Sequence, residues 1–143
     1  MKKAPLAAVV IAFLAVACAG NPEPGDDGYA YNVNGEYAAE FVTDDDGTAI
    51  YGTVTLATAP GGIVTGKMAL TNPFTVDGDV EGLLFEDELT ISIPYTIAEN
   101  GCSGVTAGTG VVAEGGGSIV GHMDIADECG GPTGATFSLT LGN

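Results

Sequence analysis

The chain has 143 residues and a formal net charge of −16, with 19 carboxylates set against three basic residues and one histidine. Phosphate backbones and anionic headgroups repel so acidic a surface, so neither nucleic acid nor a lipid surface is expected as a partner of the folded part. The basic residues are Lys2, Lys3 and Lys67, with no arginine. The pairs and triads that catalysis needs are therefore scarce, and neither an enzyme nor a cofactor is expected.

A basic start (Met1, Lys2, Lys3) precedes an apolar run from Leu6 to Ala17. That is the layout of a secretory signal peptide, and the run is too short to cross a bilayer comfortably. It closes on Leu14-Ala15-Val16-Ala17-Cys18, which resembles the signal of bacterial lipoproteins. The resemblance implies that residues 1–17 are removed and that Cys18 becomes the new N-terminus. It further implies that Cys18 is acylated, with palmitate a typical chain, and anchors the protein in the cell envelope. Ala19, which is not aspartate, is compatible with an outer membrane, facing periplasm or cell surface, if the host has two membranes. The membrane is then a partner through the anchor alone.

With Cys18 assigned to lipid, Cys102 and Cys129 remain, and pairing is the default in an oxidising compartment, so a disulfide is expected. Residues 18–33 hold Asn21-Pro22-Glu23-Pro24-Gly25-Asp26-Asp27-Gly28, a composition that predicts a flexible acidic tether. The folded domain is then 34–143.

Within that domain the period is two, with turn residues at nearly every dozen positions, and eight strands are expected. The first runs from about Glu36 to Thr43 and ends in Asp44-Asp45-Asp46-Gly47. The second, Thr48 to Thr58, sets Ile50, Gly52, Val54 and Leu56 on one face. The third shows Val64, Gly66, Met68 and Leu70 on its apolar face, the fourth Phe74, Val76, Gly78, Val80, Gly82 and Leu84. After Glu86-Asp87 the fifth alternates most clearly, with Leu89, Ile91, Ile93, Tyr95 and Ile97; Pro94 within it suggests a bulge or an edge. The sixth, Ser103 to Glu114, offers only Val105, Ala107 and Val111 as inward residues. The seventh has Ile119, Gly121, Met123 and Ile125, and the eighth Ala135, Phe137, Leu139 and Leu141.

Eight strands on short turns read as an all-β, antiparallel up-and-down meander that closes into a small barrel and so abolishes its edges. The pattern, with Cys102-x-Gly104 and the closing Gly134-x-Thr136-Phe137-x-Leu139, resembles the small lipocalin-like or avidin-like barrels of bacterial lipoproteins. The chain has no tryptophan, so neither the biotin site of the one nor the ligands of the other are implied. An immunoglobulin-type sandwich is the competing fold, weakened by that same absence and by the close spacing of the cysteines. A transmembrane barrel would need aromatic girdles that scattered aromatics do not supply.

The glycines at Gly52, Gly66 and Gly121 thin one wall of such a barrel, and they either bend it or leave a cavity. A binding module for a small apolar molecule follows from the second outcome, with Val54, Met68, Ile91, Tyr95, Met123 and Phe137 as the expected contacts in an apolar, uncharged interior. A filled barrel acting structurally, or on another envelope protein, follows from the first. Asp44, Asp45 and Asp46 form the densest oxygen cluster and a weak calcium candidate, although Asp and Gly also suit a hairpin tip. His122 shares a strand face with Asp124, and Asp77, Asp79 and Glu81 share another; both read as solvated surface.

Overall fold

The alternation places one side chain in two on a common interior, and the strands it defines are β1 (Gly35–Thr43), β2 (Ala49–Ala59), β3 (Ile63–Asn72), β4 (Val76–Phe85), β5 (Glu88–Ile97), β6 (Ser103–Val112), β7 (Ser118–Asp127) and β8 (Thr133–Leu141). This computed structural model describes residues 20–130 and 132–142; the signal region and Cys18 lie outside the described residues. Each strand pairs antiparallel with the next, and β8 returns to pair with β1, so the meander closes into a barrel without an edge. The charged side chains Lys67, Asp77, Asp79, Glu81 and Asp124 stand on the outer face while the interior is apolar. Leu83, Val105, Val111 and Val120 are exposed on the same outer face, so that face is mixed while the interior is apolar, unlike the polar interior of membrane barrels.

Tyr37, Leu84, Leu89, Ile93, Ile119, Met123, Phe137 and Leu139 are the largest fully buried side chains. No buried side-chain nitrogen or oxygen among the described residues lacks a hydrogen-bond partner. The parity expected for β6 is reversed. Val105 and Val111 point outward, and the inward row is Gly104, Thr106, Gly108, Gly110 and Val112. The reason is the neighbouring strands. Phe137 from β8 lies across Gly121 of β7 and reaches Gly110 of β6, where a Cβ would come within 2.8 Å of its ring. A bulky strand thus fills the space that a thin one leaves. Gly66 and Gly121 do not border open space: a Cβ at Gly66 would collide with the carbonyl oxygen of Thr55 on the neighbouring strand, and one at Gly121 with that of Thr109.

Pro94 marks neither an edge nor a bulge. The β4–β5 ladder skips the pairs between Gly78↔Tyr95 and Glu81↔Ser92 and resumes in the same register. Phe74, expected inside β4, lies in the β3–β4 loop and is half-exposed.

The largest departure from expectation is the tether. Over Glu23–Val33 it is folded onto one end of the barrel. Its turns close by hydrogen bonds from Asp26 N to Glu23 O and from Tyr29 N to Asp26 O. Asn32 accepts from Gly25 N and donates to Asp26 O. Val33 is fully buried, exchanging hydrogen bonds with the Thr58 hydroxyl, and Tyr29 and Tyr31 meet edge to face and pack, partly buried, against the core. The Tyr29 hydroxyl donates to Glu86 O across the β4–β5 turn, and Gly115 N in the β6–β7 turn donates to Ala30 O. Polar composition suggested a solvated coil, but two tyrosines and a valine supply enough apolar surface to dock it, each worth on the order of 1–3 kcal/mol when buried. The Tyr37 hydroxyl seals this end from within by donating to Gly116 O at 2.6 Å.

Candidate functional site

The opposite end, where the β1–β2, β3–β4, β5–β6 and β7–β8 loops gather, has no such strap among the described residues. There the apolar rows of Phe41, Ile50, Leu70, Val76, Ile97 and Ile125 diverge around a cup of about 200 Å³, with Phe74 at its lip. Met68 and Tyr95 form part of its wall, with Ala135 and the polar residues Thr43, Thr106, Asp127 and Thr133. Phe41 lines the cup and meets Phe137 on its packed side, their ring centroids 6.1 Å apart.

The polar group of the cup is built across three strands. Tyr95 of β5 is paired with Gly104 of β6, and Gly104 in turn with Asp127 of β7. All three face inward, so only the missing side chain in the middle lets the outer two meet. The Tyr95 hydroxyl donates to Asp127 Oδ2 at 3.0 Å, and a Cβ at Gly104 would stand 2.7 Å from that hydroxyl and 2.6 Å from Asp127 Cβ. Asp127 Oδ1 accepts the backbone N–H groups of Gly130 and Cys129. Those N–H bonds, the Gly130 one foremost, hold the carboxyl below its usual range against the opposing effect of burial. The phenol is pushed far up, first by burial and then by the carboxylate it bonds. Asp127 is therefore ionised and Tyr95 neutral at ordinary pH.

The rim is clamped by two further contacts. Cys102 and Cys129 are joined in a disulfide with a Cα–Cα distance of 6.0 Å, tying the start of β6 to the loop after β7. On the outer face of the rim, over β8, Asp44 Oδ2 lies 2.6 Å from His122 Nε2, and Asp44 N donates to Gly134 O. His122 thus pairs with the β1–β2 loop and not with Asp124. Gly134 lies under this pair, its missing side chain leaving room for the imidazole, 2.8 Å from where a Cβ would stand.

Of the contacts expected from sequence, Met68 and Tyr95 lie on the cup. Val54, Ile91, Met123 and Phe137 are instead packed in the barrel interior, each at most 4 % exposed. They were expected to line a void in mid-barrel, which interdigitation of the two walls eliminates. The expected uncharged interior is corrected by Asp127. That residue continues the inward row of Ile119, Met123 and Ile125 by one more step of two, a signal present in the sequence. Thr106 was hidden by the reversed parity of β6.

The Asp44-Asp45-Asp46 cluster does not converge on one point. Asp44 turns to His122, Asp45 accepts from Asp46 N, and Asp46 accepts from the Thr43 hydroxyl and Thr48 N. Bonds from Thr43 and then Thr48 lower the Asp46 carboxyl to about 2. Among the described residues no three His, Cys, Asp or Glu side chains are grouped to hold a metal. The carboxylates serve the hairpin tip, the competing account given to them above.

Fold and cup together define a small eight-stranded antiparallel β-barrel with one strapped end and one open end. No protein-family model, curated protein or solved structure matches the chain.

Proposed function

We propose that the protein is a lipid-anchored lipoprotein of the cell envelope, of lipocalin-like type, whose open barrel end binds a small, mainly apolar molecule. The observation that carries this reading is the cup. Its wall is apolar except for a few placed polar groups, the composition of ligand sites in general. At about 200 Å³ it is smaller than most drug-sized pockets. An apolar cavity of about 150 Å³ already takes up benzene, so the cup suits a single ring or the end of a longer chain. The thin inventory of reactive groups supports binding over catalysis, and the acidic surface leaves the acyl chains on Cys18 as the contact with lipid.

Toluene titrated into the isotope-labelled protein tests the reading by NMR. Shifts are expected at Met68, Tyr95 and Ile97, with Ile91 and Met123 unmoved. Ile125→Phe, which adds bulk to a half-buried cup residue, is expected to fold and to lose the response. A wild type without response at millimolar toluene would leave the structural barrel, acting through its surface, as the better account; the packed interior beneath the cup favours that account. The anchor is tested separately by membrane fractionation of Cys18→Ser, which is expected to be released.

A further inference from the structure

We infer that the cup selects ligands bearing a protonated amine, with Asp127 as their counter-ion and the apolar wall holding an attached ring or short chain. The inference rests on the binding reading above and adds the chemical class of the ligand.

The first observation is the accounting of donors and acceptors. A phenol or alcohol has one proton to give and lone pairs to accept with. In the cup Tyr95 donates to Asp127, Thr106 donates to Asp124 O, and Thr43 donates to Asp46. Their protons are spent within the protein, and Thr133 at the rim keeps the hydroxyl proton left over among the described residues. Toward a ligand the polar wall therefore presents mainly acceptors: the phenol oxygen, the Thr106 oxygen and the second lone pair of Asp127 Oδ2. Acceptors arranged in an apolar wall favour a ligand that donates.

The second observation is charge. Asp127 projects from the inward row onto the wall of the cup, where hydrogen bonds already hold its carboxylate ionised. Its hydrogen bonds come from two amides and a phenol, all neutral. Among the described residues the lysine, Lys67, is paired with Asp79 on the outer face, and the histidine, His122, is paired with Asp44. Among the described residues, then, neither the lysine nor the histidine is paired with Asp127. A ligand ammonium would take the remaining lone pair and add the attraction of an opposite charge. An anion would meet the carboxylate and a protein whose net charge is −16.

The test uses four probes of nearly equal size, benzylammonium, benzyl alcohol, toluene and benzoate, each titrated at neutral pH. The expected order is benzylammonium at least tenfold tighter than toluene, benzyl alcohol between them, and benzoate without binding. Asp127→Asn is expected to remove most of the preference for benzylammonium over toluene, read as the ratio of the two affinities in the same variant. Asp124→Asn makes the same charge change on the outer face of the same strand and is expected to leave both affinities alone. Toluene binding as well as benzylammonium would overturn the amine class and leave the cup intact. An ammonium preference lost equally in both variants would also overturn it, by tracing the preference to overall charge. No binding by any probe would overturn the class and the binding reading together. The wild-type series is decisive even if Asp127→Asn fails to fold.

Discussion

The two ends of the barrel are made from the same strands and solve the problem of closure in different ways. At the strapped end a segment from outside the barrel crosses the opening and is bonded to it, Val33 to Thr58 and Tyr29 to Glu86, while Tyr37 of β1 bonds Gly116 beneath it. At the open end no segment among the described residues crosses. Rim segments are tied to one another there, by a disulfide between the start of β6 and the β7–β8 loop and by an Asp–His pair between the β1–β2 loop and β7. Apolar packing makes the first end; covalent and polar clamps hold the second in an open shape. The contrast fits a division in which the strapped end carries the stability of the fold and the cup carries its chemistry, because a surface meant to take up a ligand cannot also be filled by the protein.

The largest effect is expected from truncation at the strapped end. Tyr37→Ala removes a fully buried ring and orphans the carbonyl of Gly116, and should cost about 3–5 kcal/mol in urea denaturation. Removal of the disulfide by Cys102→Ala with Cys129→Ala should come next, at about 2–4 kcal/mol. Hydrogen exchange would sharpen the contrast. The amides of Ser103 and Cys129 should lose protection in that variant, while those of Val33 and Gly115 keep theirs. Equal loss at both ends would show that the barrel responds as one unit.

Acid should act chiefly on the open end. The folded carboxyls of Asp46 and Asp127 are depressed, so their contribution is present above the ordinary carboxylate value of 3.8 and is lost as pH falls through the folded value, about 2 for Asp46. Stability measured from pH 5 downward should decline, and Asp46→Asn should flatten the lowest part of that decline. The smallest effect belongs to the rim pair. His122 and Asp44 are both about half exposed, so His122→Ala should cost roughly 0.2–1 kcal/mol, with the difference shrinking in high salt.

A good deal of this was legible before any coordinates. Strand number, meander order and closure follow from eight period-two segments on short turns, since a sheet of that size leaves no edge exposed only by closing. The disulfide followed from counting cysteines. The inward rows of β3, β5, β7 and β8 could be read because their large apolar residues sit on one parity. In β6 both parities hold small residues, so parity carries no signal there, and the answer came from Phe137 two strands away.

The sequence by itself therefore determined what is local and periodic: which segments are strands, which faces of most of them are apolar, how acidic the surface is and where a thiol pair can form. The tertiary structure decided whatever depends on a partner distant in the chain. It docked a segment whose composition suited a tether, because its tyrosines and valine met an open barrel end. It exchanged a void for a filled interior, because glycines on one wall face a ring from another. It brought Tyr95 to Asp127 across the missing side chain of Gly104, a contact between residues 32 apart. Contacts of that kind depend on strand register around a closed barrel, a quantity set by the simultaneous packing of all eight strands and carried by no single stretch of sequence.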